Sequence, residues 1–197
     1  MANKTPEIIA KAREFGAEYF DGPRQYGYGG YKYDGRWIPV AKEIIKHYGL
    51  HPGMKVLDIG CAKGFLVKDL SNCLPGLEAI GIDVSEYALN NCETEVYDKL
   101  YLGDARELCF SDRYFDLVLS INTLHNLSRA DLIKALKEIS RVSKGRSFIQ
   151  IDAYENEKQK AACEAWILTA KFHGYPEDWY KVFEEAGYTG DYDWTIV

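Results

Sequence analysis

Between residues 55 and 154, short apolar runs alternate with stretches of helical spacing. KVLDIG (55–60), EAIGID (78–83), VYDKLYLGD (96–104), FDLVLSIN (115–122) and SFIQIDAY (147–154) are too short for helices and read as strands. FLVKDLSNCL (65–74) reads as a helix, and Ser85 is placed to cap another over EYALNNC (86–92). Ser128 and Asp131 form an S-x-x-D box before LIKALKEISRV, whose buried stripe is Leu132, Leu136 and Ile139. Upstream, residues 6–20 read as one helix. IPVAKEIIKHYG (38–49) then sets Val40, Ile44, Ile45 and Tyr48 on one helical face before a stop at Gly49. Downstream come a helix near 157–171, another over PEDWYKVFEEAG, and a closing strand, DYDWTIV. Apolar strands separated by helices predict an α/β fold: a doubly wound, mostly parallel sheet of about six strands, with helices on both faces.

Length fits one domain over residues 1–197, with a front segment to residue 36 and a core from 37. Apolar residues are 47% and charged residues 27%, the balance of a globular chain. No apolar run approaches the roughly 20 residues of a membrane span. The opening MANKTPEIIAKAREF has no secretion-signal pattern. A net charge of −6 argues against a nucleic-acid partner. Five cysteines without a C-x-x-C pair predict reduced thiols, a cytoplasmic protein and no metal site.

In a parallel sheet, ligands sit at the carboxyl ends of the strands. Those ends carry Asp58-Ile59-Gly60-Cys61-Ala62-Lys63-Gly64, then Asp83, Gly103-Asp104-Ala105, Asn122 to Asn126, and Asp152-Ala153-Tyr154. The glycine turn is not a dinucleotide fingerprint, because Ala62 and Phe65 stand where G-x-G-x-x-G needs glycine. A phosphate loop is missing as well. Asp83 follows Asp58 at about the interval where a carboxylate meets ribose hydroxyls. The combination suggests an adenosine without phosphates.

VLDIGCAKG, IGIDVS, GDA and FDLVLSINTLHNL, in this order and spacing, resemble the successive motifs of class I S-adenosylmethionine-dependent methyltransferases, a Rossmann-like family. The front segment, INTLHNL and GYTGDY also resemble a group of short bacterial methyltransferases of unassigned substrate, associated with sugar or nucleotide-sugar genes. The resemblance implies S-adenosyl-L-methionine as cofactor and assigns roles. Asp58 with Gly60, Cys61, Ala62 and Gly64 would hold the methionine part, and Asp83 the ribose. Val84 would pack on the adenine, Asp104 and Ala105 would meet its edge, and Asn122 would stand near the sulfonium. Alanine replaces the family's middle glycine at 62, which a negative φ there would tolerate. Where the family ends on two strands forming an antiparallel hairpin, only one is expected here. Its open edge would favour a partner, a second copy included.

Methyl transfer needs a desolvated pocket more than a triad. YGYGGYKYDGRW (26–37) offers Tyr26, Tyr28, Tyr31 and Tyr33 as a flap over cofactor and acceptor, hinged by glycines. The alternative is that these rings simply pack the front segment onto the sheet. His125 is the candidate base, oriented by Asn126, or else a histidine that only shapes the pocket. Arg36 would read an acidic group on the acceptor, or pair with Asp34 or Glu43. Asp152 and Tyr154 would line the acceptor side, whereas Trp166, Trp179 and Trp194 read as core. The expected activity is methyl transfer to oxygen or nitrogen of a small molecule, a sugar among the candidates. The alternatives are a non-catalytic cofactor-binding subunit and an RNA or protein methyltransferase.

Overall fold

A computed structural model describes residues 4–196. The chain runs α1 (Pro6–Ala12), α2 (Ala17–Phe20), α3 (Trp37–Tyr48), β1 (Lys55–Ile59), α4 (Phe65–Cys73), β2 (Glu78–Asp83) and α5 (Glu86–Asn90). It continues through β3 (Leu100–Leu102), β4 (Leu117–Ile121), α6 (Arg129–Val142), β5 (Ser147–Asp152), α7 (Glu157–Trp166), α8 (Pro176–Ala186) and β6 (Asp191–Thr195). All six strands are parallel, in the order β3-β2-β1-β4-β5-β6.

Strand alternation divides the core in two. Val56, Leu117 and Leu119 face Ala41 and Ile44 of α3 and Val67 and Leu70 of α4. Their neighbours Leu57, Val118, Ile149 and Ile151 face Leu132, Leu136 and Ile139 of α6 and Trp179 and Val182 of α8. Side chains on a strand point alternately to opposite faces, so continuous apolar runs fill both layers. Trp179 is fully buried, and its indole nitrogen donates to the Asp152 carbonyl at 3.0 Å. Burying a side chain of this class stabilises by about 1.5–3 kcal/mol. The bond also ties α8 to the end of β5.

The order reverses between β1 and β4: the chain builds outward to β3, then returns to the other side of β1. Crossovers leave in opposite directions at that point and open a crevice above the carboxyl ends.

Several elements differ from their sequence patterns. The front helix breaks after Ala12, where Phe15 takes φ +50° and Gly16 is extended. The Phe15 carbonyl accepts the Ser85 hydroxyl at 2.5 Å, so a tertiary contact holds this break. Residues 94–99 form a 3₁₀ turn and leave β3 only three residues. On α3 the buried residues are Ala41 and Ile44, while Val40 is exposed. Trp166 is exposed too, in contrast to Trp179. The final strand pairs parallel to β5.

Candidate active site

The turn after β1 is shaped by what lies beneath it. A Cβ on Gly60 would come 2.2 Å from Thr123 Oγ1, and one on Gly64 would come 2.6 Å from a Leu100 methyl. Both positions also have positive φ, so glycine is required at each. Ala62 has φ +51°, contrary to the negative angle expected for alanine there. The angle is held because the Ala62 amide donates to Asp83 Oδ2 at 2.8 Å. The amides of Gly60 and Cys61 go to the Ile82 carbonyl, and that of Gly64 to the Cys61 carbonyl. These four donors are therefore engaged within the protein and not free to cradle a pyrophosphate.

Above this turn lies a cleft of about 430 Å³. Gly60, Ala62, Asp83, Val84, Asp104, Ala105 and Asn122 line it from the strand ends. Asp83 accepts from Ala62 and Ser85 amides, both at 2.8 Å, which leaves each carboxylate oxygen a further lone pair. Burial raises its pKa, while these amides pull it back. Val84 is 53% exposed, an apolar platform on the cleft wall. Asp104 is held below the usual carboxylate range by a two-pronged pair with Arg106. Asp58, Cys61 and Gly64 lie outside the lining. Asp58 is buried under the floor, where burial and then the charge of Asp83 push its carboxyl up to about 7. Cys61 packs against Gly81, and burial raises its thiol. A nucleoside fits this lining: carboxylates for hydroxyls and an apolar ledge for a base.

A smaller cavity of about 210 Å³ adjoins the cleft. Tyr19, Tyr28 and Asn122 line both hollows. Asn122 has φ +53°, and its side-chain carbonyl accepts Thr195 Oγ1 at 2.7 Å. The smaller cavity is lined further by His125, Asp152, Arg24 and the loop 166–170. His125 Nδ1 lies 3.3 Å from Asp152 Oδ2, without a formed hydrogen bond, and both residues are buried. Burial, with His173 nearby, pushes the imidazole down to about 4, and burial pushes the Asp152 carboxyl up to about 6.

Of the four tyrosines in the front stretch, only Tyr28 reaches a hollow. Tyr31 stacks on Phe65 with ring centroids 4.8 Å apart. The Tyr33 hydroxyl donates to buried Asp69 at 2.6 Å, and Lys68 sits over its ring. Tyr26 lines neither hollow. Arg36 closes a two-pronged pair on Asp34, so it is spent locally. Asn126 lines the larger cleft, apart from His125, and its buried Oδ1 has no partner. Tyr154 packs edge-on against Tyr175, outside both hollows.

The sequence reading missed Arg13, Phe15 and Tyr19, which line the cleft from the front segment, and the loop 166–170. It also missed Asp21, which accepts from Lys63 Nζ at 2.7 Å, Tyr87 at 2.8 Å and the Tyr31 amide at 3.1 Å. The Phe15-Gly16 break was the one local signal. The other contacts join segments far apart in the chain.

The sequence pattern of the methyltransferase-domain family matches residues 56–146, from β1 to the start of β5. Over residues 56–146 the chain carries the pattern of a methyltransferase domain. S-adenosylmethionine is the methyl donor of this family. Demethylmenaquinone methyltransferase of Staphylococcus aureus is 38% identical to the domain over 108 residues, 52% of this chain and 44% of that protein. The chain therefore spans under half the length of this relative. In fold, the domain is similar to the YcgJ protein of Bacillus subtilis, with TM-score 0.60 and 19% identity over 78% of this chain and 68% of that one. It is also similar to an S-adenosylmethionine-dependent methyltransferase of Archaeoglobus fulgidus, with TM-score 0.59 and 24% identity over 77% and 68%. No helix among the described residues is long and apolar enough to cross a membrane.

Proposed function

We propose that this chain transfers a methyl group from S-adenosylmethionine to an oxygen or nitrogen of a small molecule held in the smaller cavity. The shared wall carries this reading: a cleft suited to a phosphate-free nucleoside meets a small polar-ended cavity at Tyr19, Tyr28 and Asn122. Transfer in line needs two such sites meeting at one point. Asp83 would take the ribose hydroxyls, Val84 would carry the adenine, and the Gly60–Ala62 turn would meet the methionine part. For Asp104 to meet the adenine amino group, Arg106 must share or release it.

S-adenosylmethionine supplies an electrophilic methyl on a sulfonium that departs as a neutral thioether. The chain's own share is positional. Tyr19 and Tyr28 place aromatic faces at the junction, where a cation–π contact is worth about 0.5–2 kcal/mol. His125 stands on the acceptor side as a neutral imidazole able to take a proton. The demethylmenaquinone methyltransferase match covers 52% of this chain and 44% of that protein, so the acceptor is read from the cavity.

The test is calorimetry with S-adenosylmethionine, S-adenosylhomocysteine and NAD, followed by turnover on a metabolite panel. Binding of the first two and not NAD is the expected result. Binding of none of them overturns the reading. Binding without turnover on any small molecule leaves a cofactor-binding subunit in its place.

A further inference from the structure

The smaller cavity carries a chemistry that narrows the acceptor. Tyr19, Tyr28, Trp166, Ile167 and Leu168 supply the aromatic and large aliphatic part of its wall. Its volume is about 210 Å³, whereas roughly 150 Å³ holds one benzene ring. Several of its polar groups are committed elsewhere. Asn122 Oδ1 takes the Thr195 hydroxyl, Arg24 binds the Gly27 carbonyl, and the Thr169 carbonyl takes Arg13. His125 Nδ1 and Asp152 Oδ1 remain, both buried without a hydrogen-bond partner. A sugar would bring several hydroxyls, each needing a partner once desolvated. A flat ring with one hydroxyl needs one.

Asp152 stands beside one of the two imidazole nitrogens. Its Oδ2 faces Nδ1 at 3.3 Å inside the protein, and its Oδ1 is a buried acceptor without a donor. A carboxylate there favours hydrogen on Nδ1 and leaves the lone pair on Nε2. We propose that the smaller cavity receives a small aromatic ring bearing a hydroxyl, whose proton passes to His125 Nε2, with Asp152 as the positioning residue that fixes the tautomer. The ring oxygen's electron pair forms the bond to the methyl carbon. The carbon–sulfur bond breaks toward sulfur, and the imidazolium returns its proton to solvent. The proton's fate rests on the methyl-transfer reading; ring binding does not.

The experiment titrates para-cresol and its methyl ether into the protein alone and with S-adenosylhomocysteine, and records nitrogen NMR of the histidines. Para-cresol should bind about tenfold or more tighter than the ether, because the ether leaves Nε2 unpaired. Leu168→Trp, which fills the cavity, should remove this binding with S-adenosylhomocysteine affinity unchanged. His125 should carry its hydrogen on Nδ1. Asp152→Asn should weaken that preference and lower kcat about 100-fold with little change in KM. Equal binding of phenol and ether, absence of phenol binding, or hydrogen on Nε2 in the unsubstituted protein overturns the proposal. Phenol binding without cofactor binding would remove the methyl-transfer reading and keep the pocket; the converse would remove the pocket alone.

Discussion

Lys63 of the glycine turn reaches 2.7 Å to Asp21 of the front segment, and the Lys63 side chain is only 9% exposed. This pair joins the turn after β1 to the stretch that roofs the cleft. Asp21 also accepts from Tyr87 and from the Tyr31 amide, so one carboxylate pins three segments.

Asp21→Asn keeps the shape but weakens the charged bond to Lys63. Removing one partner of a sheltered pair costs more than removing an exposed one. S-adenosylhomocysteine should leave the variant about 3–10-fold faster in stopped-flow release, a loss of about 1 kcal/mol on the scale of one charge-assisted hydrogen bond. An unchanged release rate would mean that the roof does not gate the cleft.

Tyr33→Phe separates anchor from flap. It removes the donor to Asp69, whose other oxygen is already buried without a partner. Stranding that carboxylate should cost about 1–3 kcal/mol in chemical denaturation, with cofactor affinity unchanged. Tyr28→Ala should weaken cofactor affinity, because Tyr28 lines both hollows.

Ala62 holds a left-handed angle that costs an L-residue about 1–2 kcal/mol. Ala62→Gly relieves it and adds back some unfolded-state freedom. The net gain should be about 0.5–1 kcal/mol, seen as a rise in Tm of roughly 1–4 °C for a chain of this size. A fall in Tm would mean that the alanine methyl makes contacts worth more than the strain.

His125 supplies a pH signature. Its folded pKa is depressed, to about 4. It therefore contributes stability above its unfolded value, near 6.5, and loses it as pH falls toward 4. The loss is up to about 3 kcal/mol. The raised carboxyls of Asp58 and Asp152 act in the opposite sense over overlapping ranges. The clean readout is thus a difference: stability of the unsubstituted protein minus His125→Gln should shrink between pH 6.5 and 4. A constant difference would mean that the imidazole is charged when buried or stays solvated.

The alternation of strands and helices, the two-sided core and the position of the cleft were all legible in the chain, because burial periodicity is local and topology rules are general. The motif carboxylates were legible as types, yet only two of them line the cleft. Asp58 and Asp83 both lie at the carboxyl end of a strand, and only the packing of the turn buries one under the floor and leaves the other at the wall. Likewise, the four tyrosines of residues 26–33 look alike in sequence. Phe65 and Asp69, brought close by the turn of α4, hold two of them away from the hollows.

The sequence by itself determined which segments become strands and helices and which residue types gather at the strand ends, since those follow from hydrophobic period and turn chemistry along a few residues. Tertiary structure decided the close approach of His125 to Asp152, the Asp21 anchor and the wall shared by the two hollows. Each depends on side chains from distant segments meeting within a few ångströms, a distance that no local pattern encodes.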